Sequence, residues 1–235
     1  MMRACGVVTA ALLCAAFALP ASGAEEDASV AERCPGVAAW WKAHPEATDE
    51  AMARRDAART LLEPALRAEL DRRFARDQKV RRDILASPSS MHAQRTMDQV
   101  DGSNAVWLGE LVASKGFPSA AQVGEQGVRD AYLLMHHAGY APQLKAALLP
   151  VLEQRFKDGD LSADDLARFT DRVLKAQGKP QRYGTQFAPE EMGGQYFGLP
   201  DEASLREVEA NRRALGVMPL ADYTCMMRVA RIGRP

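Results

Sequence analysis

The sequence predicts a mainly α fold, a single-domain helical bundle with a late polar loop or small β-hairpin. Two observations carry that expectation. Apolar residues recur at three- and four-residue spacing along most of the chain, and Pro, Gly and capping residues interrupt these stripes at helix-length intervals. A third observation sets the exception: between Pro180 and Pro200 the pattern becomes short, aromatic and glycine-flanked, as in irregular structure or a hairpin.

Composition is consistent with one soluble domain. The chain has 235 residues, 30 Lys and Arg against 31 Asp and Glu, a net charge of -1, 47% hydrophobic residues and four cysteines. This excludes a chain too short to bury a core, a disordered polyampholyte, a cysteine-framework miniprotein, and a protein that binds nucleic acid through its net charge.

Residues 1–24 read as a signal peptide, outside the fold. Arg3 provides a positive start, Val7 to Leu19 is apolar, and Pro20 precedes the small residues Ala21-Ser22-Gly23-Ala24; the acidic run Glu25-Glu26-Asp27 follows. The apolar run is short of the ~20 residues that span a bilayer. Leu13 before Cys14 argues against a lipoprotein. The expectation is export to the periplasm or beyond, with no membrane attachment after cleavage and residues 25–235 as one domain. Cys5 and Cys14 would leave with the signal, so Cys34 and Cys225 remain as a candidate disulfide that ties the two ends of the mature chain together. The alternative is two separate buried thiols.

The helices follow in order. Val37 to His44 is a short apolar segment ended by Pro45. Thr48 caps a helix through Leu62, and Pro64 opens the next, where its missing N–H costs little. Along that helix Leu66, Leu70, Val80 and Ile84 form one stripe, and Pro88 stops it. A third helix is expected over Asp101 to Lys115, ended by Gly116. Ser119 and Gln122 make a capping box for a short turn, and a central buried helix runs from Glu125 to near Gly139. Pro142 opens another with the seam Leu144, Leu148, Val151 and Leu152; Ser162 and Asp165 cap the one after it, which Gly178-Lys179-Pro180 ends. Helix returns at Asp201 to Leu215, stops at Gly216, and resumes after Pro219.

Several polar residues lie on or beside these stripes. Asp77 is in register with Leu70 and Ile84, and Arg81 follows one turn later. A carboxylate on such a face must be paired and hydrogen-bonded or it protonates; the alternative is an ordinary surface pair. His136 and His137 end the most apolar helix, but they lack the i, i+4 spacing of a helical zinc site, so no metal is expected. One of them is a candidate acid or base, against the alternative of a core histidine held by a backbone carbonyl. Asp101 and Asn104 share a helix face, and Asp171-Arg172 precedes the loop Gln181-Arg182-Tyr183-Gly184-Thr185-Gln186. That loop's amides, phenol and hydroxyl either meet a ligand or tie the loop to the bundle. No nucleophile elbow, phosphate loop or H-E-x-x-H motif occurs, and no cofactor is implied.

Together these strings resemble a bacterial family known only as a domain of unknown function. The resemblance rests on Asp77-Gln78 with Arg81, Asp101 with Asn104, Gly116-Phe117-Pro118, His137-Ala138, Asp171-Arg172-Val173 and Gln181-x-Tyr183-Gly184-Thr185-Gln186, and continues to Tyr223. His136 stands where the family usually has Gln, and Gly139 where an acidic residue is usual. The resemblance implies no transferable activity. It collects Asp77, Gln78, Arg81, Asp101, Asn104, His137, Asp171, Arg172, Gln181, Tyr183, Thr185 and Gln186 as residues of one polar pocket. The expected function is binding of a small polar or anionic ligand or a peptide segment, with an arginine clamping the anion. An enzyme with His137 as general base and Asp77 or Asp171 orienting it is the second expectation, and a protein-protein or immunity-type module the third.

Overall fold

The computed structural model describes residues 22–138, 141–186 and 201–232. Among these are ten α-helices and no strand. They are α1 (Ser22–Arg33), α2 (Pro35–Ala43), α3 (Asp49–Ala57), α4 (Pro64–Ala86), α5 (Met91–Lys115), α6 (Ala120–His137), α7 (Pro142–Lys157), α8 (Ala163–Ala176), α9 (Glu202–Leu215) and α10 (Leu220–Ile232), with a 3₁₀ turn at Pro45–Ala47 before α3. The apolar leader lies outside the described residues, as does most of the stretch expected as a hairpin. The described part of that stretch, residues 181–186, is an irregular loop.

Two helix limits differ from expectation. The Thr48 hydroxyl does cap α3, accepting from Ala51 N at 3.2 Å. The helix nevertheless stops at Ala57 rather than Leu62. Leu62 N and Glu63 N instead donate to Ala121 O and Gln122 O at 3.0 and 2.9 Å, and Pro64 disfavours helical geometry at the residue before it. Second, α5 starts at Met91, ten residues before Asp101, under the Ser90 hydroxyl. Its buried stripe runs Ala93, Val100, Asp101, Asn104 and Leu108, and the two polar members conceal the period.

Helix α6 is two helices joined at Gly124, whose φ of 78° is non-helical. Asp56 of α3 caps the second one across the chain, accepting from Glu125 N at 2.7 Å and Gln126 N at 2.9 Å. A Cβ at position 124 would lie 2.7 Å from Asp56 Oδ2, so space and backbone both select glycine there.

The main core lies among α4 to α8, with Leu70, Leu108, Phe117, Val128, Tyr132, Leu134, Leu148, Leu152 and Phe169 all buried. A second cluster joins the chain ends: Val30 of α1 and Val37 of α2 pack with Met218, Tyr223 and Val229. Cys34 and Cys225 form a disulfide inside it, their Cα atoms 6.0 Å apart across 191 residues of sequence.

Candidate functional site

Helices α4, α5 and α6 position the site. Asp77 follows Leu70 by two helical turns, and both are fully buried, so the carboxylate occupies a core position on the α4 stripe. Arg81, one turn on, grips it with two bonds: Nε to Oδ2 at 3.1 Å and Nη2 to Oδ1 at 2.9 Å. Arg81 Nη2 also reaches Asp101 Oδ1 of α5 at 2.6 Å. Gln78 Nε2 donates to Asp77 Oδ2 at 2.9 Å.

The fourth group comes from the last residue of α6. His137 Nδ1 lies 3.1 and 3.0 Å from the two Asp77 oxygens and 3.0 Å from Arg81 Nε. One ring nitrogen cannot both donate to the carboxylate and accept from the guanidinium. Burial alone would raise the Asp77 pKa, but hydrogen bonds from His137 and Arg81 hold it below the usual range. An ionised Asp77 takes the proton of Nδ1–H, and the approach of Arg81 Nε follows from both groups sharing one carboxylate. In the neutral ring Nε2 is then the unprotonated nitrogen. The His137 side chain is 19% exposed and Asp77 is 0% exposed, so the ring spans from a buried anchor to the surface. Asp101 is shifted the other way: burial raises its pKa against the pull of Arg81.

Asn104 lies on the same face of α5 but belongs to an adjoining contact. Its Oδ1 accepts from Arg73 Nη1 at 3.2 Å, and Arg73 lies over the Trp107 ring at 4.4 Å.

Beside His137 two cations meet. Arg172 Nη1 of α8 and Lys145 Nζ of α7 both donate to His136 O, at 2.8 and 3.0 Å. Burial, with the charge of Arg172 adding to it, pushes Lys145 down to about 8; Asp101 opposes the shift. Burial also lowers Arg172, with Arg81 adding and Asp101 opposing. The His136 imidazole is held neutral, pushed to about 2 by burial and then by Arg172.

Asp171 does something different from orienting a histidine. Its buried carboxylate accepts Arg182 N at 2.7 Å and Tyr183 N at 3.0 Å on one oxygen, and Thr185 N and Thr185 Oγ1, both at 2.8 Å, on the other. Gln181 closes the same loop: Oε1 accepts from Gln186 N at 2.6 Å and Nε2 donates to Gln186 O. The Gln186 amide donates to Thr185 Oγ1. Arg212, almost fully buried, then fixes the loop to the last helices, donating to Tyr183 O and Met218 O and lying over the Tyr223 ring.

Of the residues gathered from the sequence, Asp77, Gln78, Arg81, Asp101 and His137 therefore meet in one cluster. Arg172 stands next to it, whereas Asp171, Gln181, Tyr183, Thr185 and Gln186 make a second network that binds the loop's own backbone. Of the two carboxylates considered for His137, Asp77 is the one in contact. Arg81, expected as a ligand clamp, already spends Nε and Nη2 on Asp77 and Asp101, and its Nη1 faces Met97 Sδ at 3.6 Å. Lys145 escaped sequence reasoning. The signal was available, since Lys145, Leu148 and Leu152 fall on one buried stripe.

A mostly apolar groove of about 1130 Å³ lies elsewhere, between α9 and α10, with Leu205, Leu220, Ala221 and Val229 in its wall. It shares no residue with either polar network, and its rim also carries Arg33, Glu202, Arg206, Glu209, Arg213 and Arg228.

The fold and site define an all-α protein with a buried Asp-Arg-His cluster beside a pair of cations. The chain belongs to a family of unknown function (DUF6624), whose model matches residues 64–232, from the first residue of α4 to the last of α10. No curated protein and no solved structure matches it.

Proposed function

We propose that this is an exported protein whose α4–α5–α6 cluster binds a small polar ligand at the exposed edge of His137. The observation that carries the reading is the Asp77–His137 contact. A fully buried, ionised carboxylate is a costly core element, since apolar residues of similar volume commonly serve stability as well or better. Here it anchors, through Nδ1, an imidazole whose side chain keeps 19% of its surface exposed, and leaves Nε2 free of that contact. Export is supported by the apolar leader and by the Cys34–Cys225 disulfide, a bond that persists in oxidising compartments.

The same contact favours a second reading, an enzyme in which His137 Nε2 takes a proton from a substrate while Asp77 fixes the ring and stabilises the imidazolium. One variant separates the two. In a thermal-shift screen against metabolites, wild type should respond to at least one ligand; a saturating ligand at 100 times its dissociation constant stabilises by ~2.7 kcal/mol. His137→Gln should keep that response and lose any turnover if the protein is an enzyme, and should lose the response if it only binds. A wild-type protein that responds to nothing, in a screen that includes phosphorylated and carboxylated metabolites, would overturn both readings.

A further inference from the structure

Lys145 occupies a position that folding alone disfavours. It is 5% exposed and lies in the first turn of α7, where the helix dipole repels cations. A second cation, Arg172, donates to the same carbonyl, His136 O. Among the described residues neither makes a salt bridge or a side-chain hydrogen bond to a carboxylate, and each side chain donates to His136 O. The end of α6 accounts for one cation, because a helix C-terminus attracts positive charge and presents unpaired carbonyls. It does not account for two on one oxygen, since Lys145 has three donors and Arg172 five. The nearby carboxylates are already engaged: Asp77 and Asp101 share Arg81. Of the charges described at this point three are positive, Arg81, Lys145 and Arg172, and two negative, Asp77 and Asp101, with His136 neutral.

We infer that Lys145 and Arg172 are the seat of a small oxyanion, the carboxylate or phosphate group of the ligand, bound against the C-terminal turn of α6 beside His137. The guanidinium presents its remaining N–H groups as a planar fork and the ammonium adds a point charge from a second helix, which suits two oxygens of one group. This rests on the pocket proposed above and names the chemical class it takes.

The test is isothermal titration calorimetry of the full protein with sodium phosphate and, separately, sodium acetate, at constant ionic strength with chloride as the reference salt. Wild type should bind one of the two, and which one distinguishes a phosphate seat from a carboxylate seat. Lys145→Met and Arg172→Gln should each weaken that binding by about tenfold or more. His137→Gln should leave it within about threefold, because the imidazole lies outside the seat. Absence of binding by both anions overturns the inference, and so does unchanged affinity in Lys145→Met. If the variants do not fold, the wild type still decides: the bound anion should slow phenylglyoxal modification of Arg172, and an unchanged rate overturns the seat. The pocket reading fails separately, if a metabolite hit survives His137→Gln without loss of affinity or turnover while the anion seat remains intact.

Discussion

Asp77 and His137 are sixty residues apart in the chain and 3.0 Å apart in the fold. Their contact depends on α4 and α6 packing side by side, and it fixes the orientation of the His137 imidazole. Asp77→Asn should remove the ion that holds Nδ1–H and leave Arg81 with Asp101 alone. The expected cost is about 3 kcal/mol, at the low end for a broken buried pair because Arg81 keeps one partner. Chemical denaturation measures the loss. Long-range proton–nitrogen NMR should show Nδ1 protonated in the neutral ring of wild type and a mixed tautomer population in the variant.

Asp171 is the loop's anchor, so its loss should be local and large. Asp171→Ala leaves Arg182, Tyr183 and Thr185 amides without their acceptor. Their hydrogen exchange should accelerate strongly, with global stability falling by about 3 kcal/mol. Unchanged exchange at these amides would show that the loop holds itself through Gln181 and Gln186.

The disulfide closes nearly the whole folded chain. Replacing Cys225 with Ser should lower the free energy of unfolding by roughly 5 kcal/mol in the loop-entropy limit, less any order retained when unfolded. Urea titrations of wild type and variant give the difference directly. The second core cluster should loosen first, since Val30, Val37 and Met218 lie around the bond.

Asp130 provides a stability signature in acid. It is almost fully buried, with Gln126 Nε2 at 2.7 Å and Arg67 Nη1 at 3.5 Å, and burial raises its pKa to about 6. The folded state therefore binds more protons than the unfolded state between the ordinary carboxylate range and pH ~6, and stability falls as pH rises through that window. Asp130→Asn should flatten the slope and add up to about 3 kcal/mol at pH 7, at ~1.4 kcal/mol per pKa unit. Thermal melts between pH 4 and 8 show whether it does.

Lys145 provides the opposite signature in alkali. Its pKa falls to about 8 through burial and the charge of Arg172 on α8, while Asp101 on α5 pulls upward; His136 on α6 stays neutral. The unfolded chain then binds more protons above pH ~8, so this group makes wild-type stability rise from pH 8 toward 10. Lys145→Met should remove that rise and raise the melting temperature at pH 7. A lower melting temperature would mean that capping α6 is the residue's main contribution.

Much of the fold was legible because helix signals are local. Thr48, Pro64, Ser162 and Asp201 begin helices, and Gly116 and Gly216 end them, through contacts within a few residues. Errors arose where a distant partner intervened. The backbone of Leu62 and Glu63 turned to α6, and the polar stripe of Asp101 and Asn104 hid the first ten residues of α5.

The sequence by itself determined the helical class, most helix limits, the pairing of Asp77 with Arg81 one turn away, and Cys34 and Cys225 as the candidate bridge, because spacing and elimination suffice for these. Which carboxylate faces His137, why Asp171 serves the loop, and that Lys145 stands beside Arg172 were decided only by tertiary structure. Each joins side chains on different helices, and a chain's local periodicity says which face a residue occupies but not which distant face is packed against it.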